Sequence, residues 1–252
     1  MPIIETRRGG IHYKDYRKNS SINTPYLLIH GAGSQYMDFP SLMRRSLEAI
    51  ALDLSGHGSS PKHDSSSIED YAEDVIAFLD TLNLEKVIVV GHSMGGGIAQ
   101  QIALDYPERL QGLILIATGA KLAVNPSIIE GILTHPEETA RSVTKWSWGD
   151  FADDDLIEQG IQHLLQTPLE VIQTDYIACN QFDVRDRLSE IKIKTLIIAG
   201  AKDKMTRLEG NQEIADNIPN SQIEIFAECG HMVHVEQTEA VIDLVQDWSE
   251  KI

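Results

Sequence analysis

The stretch Val87-Ile88-Val89-Val90-Gly91-His92-Ser93-Met94-Gly95-Gly96-Gly97 constrains the fold more than any other part of the chain. Its first four residues are apolar, β-branched and unbroken, the pattern of a strand buried on both faces. Residues 93–106 then carry a helical pattern that stops at Pro107. A strand that turns at once into a helix belongs to a chain that alternates the two. Short apolar runs at 11–17, 26–30, 48–53, 86–91, 110–117, 193–199 and 222–226 keep that rhythm, and 2–7 adds a candidate edge strand. Residues 68–82 and 232–248 read as amphipathic helices between them. The reading is an α/β fold, a mostly parallel sheet flanked by helices.

Between Gly119 and Glu190 the strand rhythm stops. Helical patches at 128–133, 137–146, 156–165 and 169–179 are punctuated by Pro126, Pro136, Gly149 and Pro168. We expect a core domain of residues 1–121 and 191–252, with a helical cap over 122–190 inserted after the sixth strand. Asp150, Asp153, Asp154 and Asp155 read as a solvated turn with a helix N-cap, not as a metal site.

Charge narrows the partners. The 252 residues hold 21 basic and 38 acidic side chains, and 21 − 38 = −17 argues against nucleic acid and anionic membrane surfaces. Apolar runs such as residues 113–117 are far short of a membrane span. No secretory signal is visible, and two cysteines, Cys179 and Cys229, suit a reducing compartment, so a cytoplasmic location is expected.

The chemistry begins at Ser93. Gly91-x-Ser93-x-Gly95 between a strand and a helix lets the chain turn sharply and expose the serine at a helix N-terminus. Gly-x-Ser-x-Gly alone is also an ordinary turn; the strand before and the helix after raise the functional reading. His30-Gly31-Ala32-Gly33 ends an earlier strand in a loop suited to an oxyanion hole, the Ala32 amide partnering that of Met94.

Taken together, the chain resembles the α/β-hydrolase superfamily, in its serine-nucleophile esterase and lipase-like branch. A third motif fits: Asp53-Leu54-Ser55-Gly56-His57-Gly58-Ser59-Ser60 is similar to the family's Asp-x-x-Gly-x-Gly-x-Ser loop, whose role there is structural. The resemblance implies an acid and a base after the serine, in that order. Asp203, in Gly200-x-x-Asp203, matches the acid position after the seventh strand, although Thr206-Arg207 stands where many relatives have Thr-Pro. His231 matches the base in Gly230-His231-x-x-x-x-Glu236. His234 is its decoy, and the pair makes a weak zinc signal. His30 and His92 read as packing residues, His57 as loop architecture, and His12, His63, His135 and His163 as exposed. Cys229 reads as a small buried neighbour of the base.

The resemblance therefore implies a serine hydrolase cleaving small to medium carboxylic esters through an acyl-enzyme, with the triad Ser93, Asp203 and His231. No cofactor and no metal is expected. The expected partner is a small-molecule ester, and the expected state a monomer or homodimer. C–C bond hydrolases, perhydrolases and lyases share the triad, and some relatives are small-molecule receptors. In the cap, Trp146 and Trp148 are candidate substrate-binding residues, while Ile128, Ile129, Leu133, Leu164 and Leu165 are divided between core and pocket. The cap is read as a lid that sets specificity, apart from the catalytic machinery.

Overall fold

The computed structural model describes residues 3–18, 24–148 and 152–252; Gly149 and Asp150 lie outside them. Among the described residues eight strands make one sheet: β1 (Ile3–Thr6), β2 (Gly9–Asp15), β3 (Tyr26–Ile29), β4 (Ile50–Leu52), β5 (Val87–His92), β6 (Leu110–Ile116), β7 (Thr195–Gly200) and β8 (Ser221–Phe226). Their order is β1-β2-β4-β3-β5-β6-β7-β8. β1 and β2 join antiparallel, and from β4 to β8 every pairing is parallel. The chain has the α/β-hydrolase fold.

Between strands run α1 (Ser41–Ser46), α2 (Ile68–Thr81) and α3 (Met94–Asp105). Four helices separate β6 from β7: α4 (Pro126–Thr134), α5 (Pro136–Ser147), α6 (Asp154–Leu164) and α7 (Leu169–Gln181). The chain closes with α8 (Leu208–Asn217), α9 (Val233–Glu236) and α10 (Thr238–Ser249).

Side chains alternate across a strand, and both faces here are covered. Val87 and Val89 join Leu113 and Leu115 beneath residues of α2 and α3 such as Phe78 and Ile98. Ile88 and Val90 join Ile114 and Ile116 on the other face, against Met43 of α1 and Val241 of α10. Double burial explains why β5 is apolar throughout. Its four side chains contribute roughly 6–12 kcal/mol of burial, which anchors the strained turn that follows it.

α4–α7 carry small cores of their own. Ile132, Val143, Ile172 and Tyr176 form one, and Ala140, Ile157 and Ile161 another. Asp153 caps α6, accepting from the Leu156 amide at 2.8 Å. The single helix expected over 232–248 is two, broken at Gln237 (φ −132°, ψ 50°). Thr238 Oγ1 donates to the His234 and Val235 carbonyls, each at 3.0 Å, so the end of α9 is satisfied without continuation. Among the described residues no helix is long and apolar enough to cross a membrane.

Candidate active site

β3 has β4 on one side and β5 on the other, so the strand order reverses there and a crevice opens beyond the carboxyl ends. Ile29 of β3 pairs with Gly91 of β5, which brings the loop after residue 29 beside Ser93. Ser93 has φ 53° and ψ −119°, a conformation that costs a side-chain-bearing residue roughly 1–3 kcal/mol. The burial of β5 outweighs it. A Cβ on Gly91 would drive into the Gly95 carbonyl, and one on Gly95 into that of Ile29, so only glycine permits the turn. The amides of Ala32 and Met94 have no hydrogen-bond partner among the described residues.

The parallel strands deliver the other two groups to the same edge. Asp203 follows β7 and His231 follows β8, and Asp203 Oδ2 lies 2.8 Å from His231 Nδ1. The nitrogen left for proton exchange is Nε2. Asp203 Oδ1 accepts from the Met205 and Thr206 amides at 2.7 and 3.0 Å, and Thr206 Oγ1 donates to Oδ2 at 2.7 Å. Burial pushes this carboxyl up, but His231, Thr206 and the Met205 amide outweigh it and hold it below the ordinary range. Thr206, noted from sequence only as part of a departure, is thus a ligand of the acid. Glu236 accepts from the Gly230 amide at 3.1 and 3.0 Å, fastening the loop that carries His231.

The remaining histidines divide sharply. His92 approaches the His231 carbonyl at 3.1 Å through Nε2, and its ring lies 4.4 Å from that of His234. His234 is fully buried and also meets Phe39, away from Asp203. Burial and neighbouring imidazoles lower the pKa of His30 and His234 to about 3, and that of His92 well below its ordinary value. Below pH ~6.5 the unfolded chain binds three protons that the folded chain refuses. Stability present above that pH should therefore fall as the pH drops below it. Urea unfolding between pH 6.5 and 5, below the range in which protonation of His57 and His163 adds stability, should show the loss before carboxylates titrate; a flat midpoint over that range would contradict it.

Three of the four histidines expected to be exposed are not: His12 is buried, and His63 and His163 are half-buried. His12 is 1% exposed because β2 lies between β1 and β4, and its Nδ1 meets Asp53 Oδ2 at 2.7 Å. His63 is half-buried against Asp74. His163 lines the cavity beside Ser93 and pairs with Asp38, while His135 is exposed. Both cysteines are free and buried, and burial first, then Glu236, raises Cys229 to about 11.

One network was invisible in the sequence. Asp175 on α7 is 0% exposed; its Oδ2 accepts from the Gly33 amide and from His57 Nε2, each at 2.8 Å, and its Oδ1 from the Tyr71 hydroxyl at 2.7 Å. Burial opposes a charge on His57, but Asp175, the Ser55 carbonyl and Asp53 overcome it and raise its pKa. Thr167 Oγ1 donates to the Gly33 carbonyl at 2.9 Å. The peptide groups of Gly33, next to Ala32, are thus held through N–H by α7 and through C=O by the turn between α6 and α7. The insertion, expected to stand apart from the loop of Ala32, meets that loop at this point.

Ser93 and His231 share a cavity of about 830 Å³, with Trp148, Leu164 and Met205 in its wall. Val143, Thr144 and Ser147 give it one face of α5, so Trp146 falls on another and is 42% exposed. That removes Trp146 as a substrate-binding candidate. Leu133 is likewise 40% exposed, and Ile128, Ile129 and Leu165 pack inside the helical insertion. Among the described residues, no group of three or more His, Cys, Asp or Glu is placed to hold a metal.

A profile of the Alpha/beta hydrolase family matches residues 26–244. The 3-oxoadipate enol-lactonase 2 of Acinetobacter baylyi is 33% identical over 201 residues, 76% of this chain and 74% of that one. The 2-hydroxymuconate semialdehyde hydrolase of Pseudomonas putida is 28% identical over 249 residues, 89% and 86% of the two chains. A thermophilic esterase from Thermogutta terrifontis, in its malate-bound structure, superposes with TM-score 0.87 at 25% identity, covering 99% and 98%.

Proposed function

Because the chain belongs to the alpha/beta hydrolase family, we propose that it is a serine hydrolase of small to medium carboxylic esters, with Ser93, His231 and Asp203 as its triad. What carries the reading is Ser93 at φ 53° in the same cavity as a His231 already bonded to Asp203 at 2.8 Å. Ser93 Oγ attacks the ester carbonyl while its proton passes to His231 Nε2. The amides of Ala32 and Met94 receive the oxyanion. His231 then gives that proton to the departing alkoxide, leaving an acyl-enzyme and an alcohol. Water attacks the acyl carbonyl, His231 takes its proton and returns it to Ser93, and the carboxylic acid departs. Asp203 keeps the imidazole in the tautomer this needs.

C–C bond hydrolysis is the second reading, favoured by the similarity to the 2-hydroxymuconate semialdehyde hydrolase. A fluorophosphonate probe should label the wild type on the peptide holding Ser93 and leave Ser93→Ala unlabelled. Multiple turnovers of p-nitrophenyl esters per labelled site support the esterase. Labelling with a single slow turnover would point to a receptor, and labelling at another serine would overturn the triad. The inserted helices, residues 122–190, are proposed as the cap that shapes specificity.

A further inference from the structure

Two cavities meet at Ser93. Beside the larger one lies a second of about 240 Å³, which shares Ala32, Ser93, Tyr176 and Met205 with it. Their walls differ in charge. Among the described residues the larger cavity carries Asp38, Asp155 and Glu158 but no Lys or Arg, whereas the smaller carries Lys121 and Arg207 but no Asp or Glu. Lys121 is partly spent, its Nζ being 3.3 Å from Asp183. The Arg207 guanidinium has no side-chain hydrogen bond or ion pair among the described residues. Its backbone carbonyl accepts from the Gly210 amide at 2.9 Å, which fixes its place at the head of α8. Tyr176, 5% exposed, has a buried hydroxyl with no partner among the described residues, where the cavities join. An unpaired buried hydroxyl is costly, and a bound acceptor removes that cost.

His231 lines the larger cavity and not the smaller. The leaving group must receive its proton from His231, so it occupies the larger cavity and the acyl chain enters the smaller. We propose that this acyl chain ends in a carboxylate, received by Arg207 with Tyr176 as a further donor: the substrate is a hemiester of a short dicarboxylic acid. The inference rests on the serine-hydrolase reading. The distal carboxylate is a handle and takes no part in the bond changes, which remain ester plus water to acid plus alcohol.

Monomethyl glutarate and methyl pentanoate differ only in the terminal group, so their kcat/KM ratio reads the handle. The wild type should favour the hemiester by at least ~10-fold, as a charge-assisted hydrogen bond allows. That preference should shrink with rising salt, because Arg207 is exposed. R207Q should lower the ratio by about 10-fold, mainly through KM, and Tyr176→Phe should lower it less. A wild type that prefers methyl pentanoate, or a ratio that R207Q leaves unchanged, overturns the inference. If neither ester turns over, the p-nitrophenyl assay still judges the hydrolase reading. Titration of glutarate into Ser93→Ala protein then judges the carboxylate site alone: binding weakened by R207Q supports it, and binding indifferent to R207Q overturns it.

Discussion

His231→Ala is expected to lower kcat by at least ~10³-fold while the protein stays folded, the scale on which losing a triad base is felt. The residue sits on a loop after β8, and Asp203 already engages its Nδ1 at 2.8 Å. Removing it takes away the group proposed to accept the serine proton. His234→Ala is the control. That ring is buried between Phe39 and His92, so its loss opens a cavity and should appear in the unfolding midpoint, with kcat changed much less. Steady-state turnover on a p-nitrophenyl ester, with thermal unfolding of both variants, separates the cases. Equal losses of kcat would mean that the base is misassigned.

Asp175→Ala is expected to damage stability and turnover together, although the residue lies on α7, far along the chain from the triad. It leaves a buried His57 without its counter-charge and orphans the Gly33 amide and Tyr71 hydroxyl. Removing one member of such a pair costs about 3–5 kcal/mol. If the loop then lets the Ala32 amide drift from the oxyanion position, kcat falls by about 10²–10³-fold with KM little changed, because that donor acts in the transition state. Asp175→Asn keeps an acceptor for Gly33 and should recover part of kcat. The pH dependence has a definite sign. His57 has a raised pKa, so its contribution is full below the ordinary histidine value and fades as pH rises through the raised one. Measured on the folded fraction at low temperature, an unchanged kcat in both variants would show that Asp175 serves stability alone.

The alternating α/β order, the sharp turn at Ser93 and the helical insertion were legible because they are local. A β-branched run, a glycine that must clear a neighbouring carbonyl and a proline that ends a helix act within a few residues. Asp203 and His231 were legible as candidates through the motifs Gly200-x-x-Asp203 and Gly230-His231-x-x-x-x-Glu236, and the parallel strands before them bring the two within 2.8 Å at one edge of the sheet. The surfaces of histidines and tryptophans were not local. His12 is buried because β2 is enclosed by β1 and β4, and Trp146 turns away because α5 presents another face to the cavity.

Sequence by itself therefore determined the fold class, the strained serine and the order of the candidate triad, all consequences of backbone sterics and strand period. Tertiary structure alone decided that Asp175, 142 residues from Gly33, would hold the loop after β3, and that cavities of opposite charge would flank Ser93. Hydrogen bonds and fields act through space, and no periodicity along the chain records which distant groups the fold will bring within 3 Å.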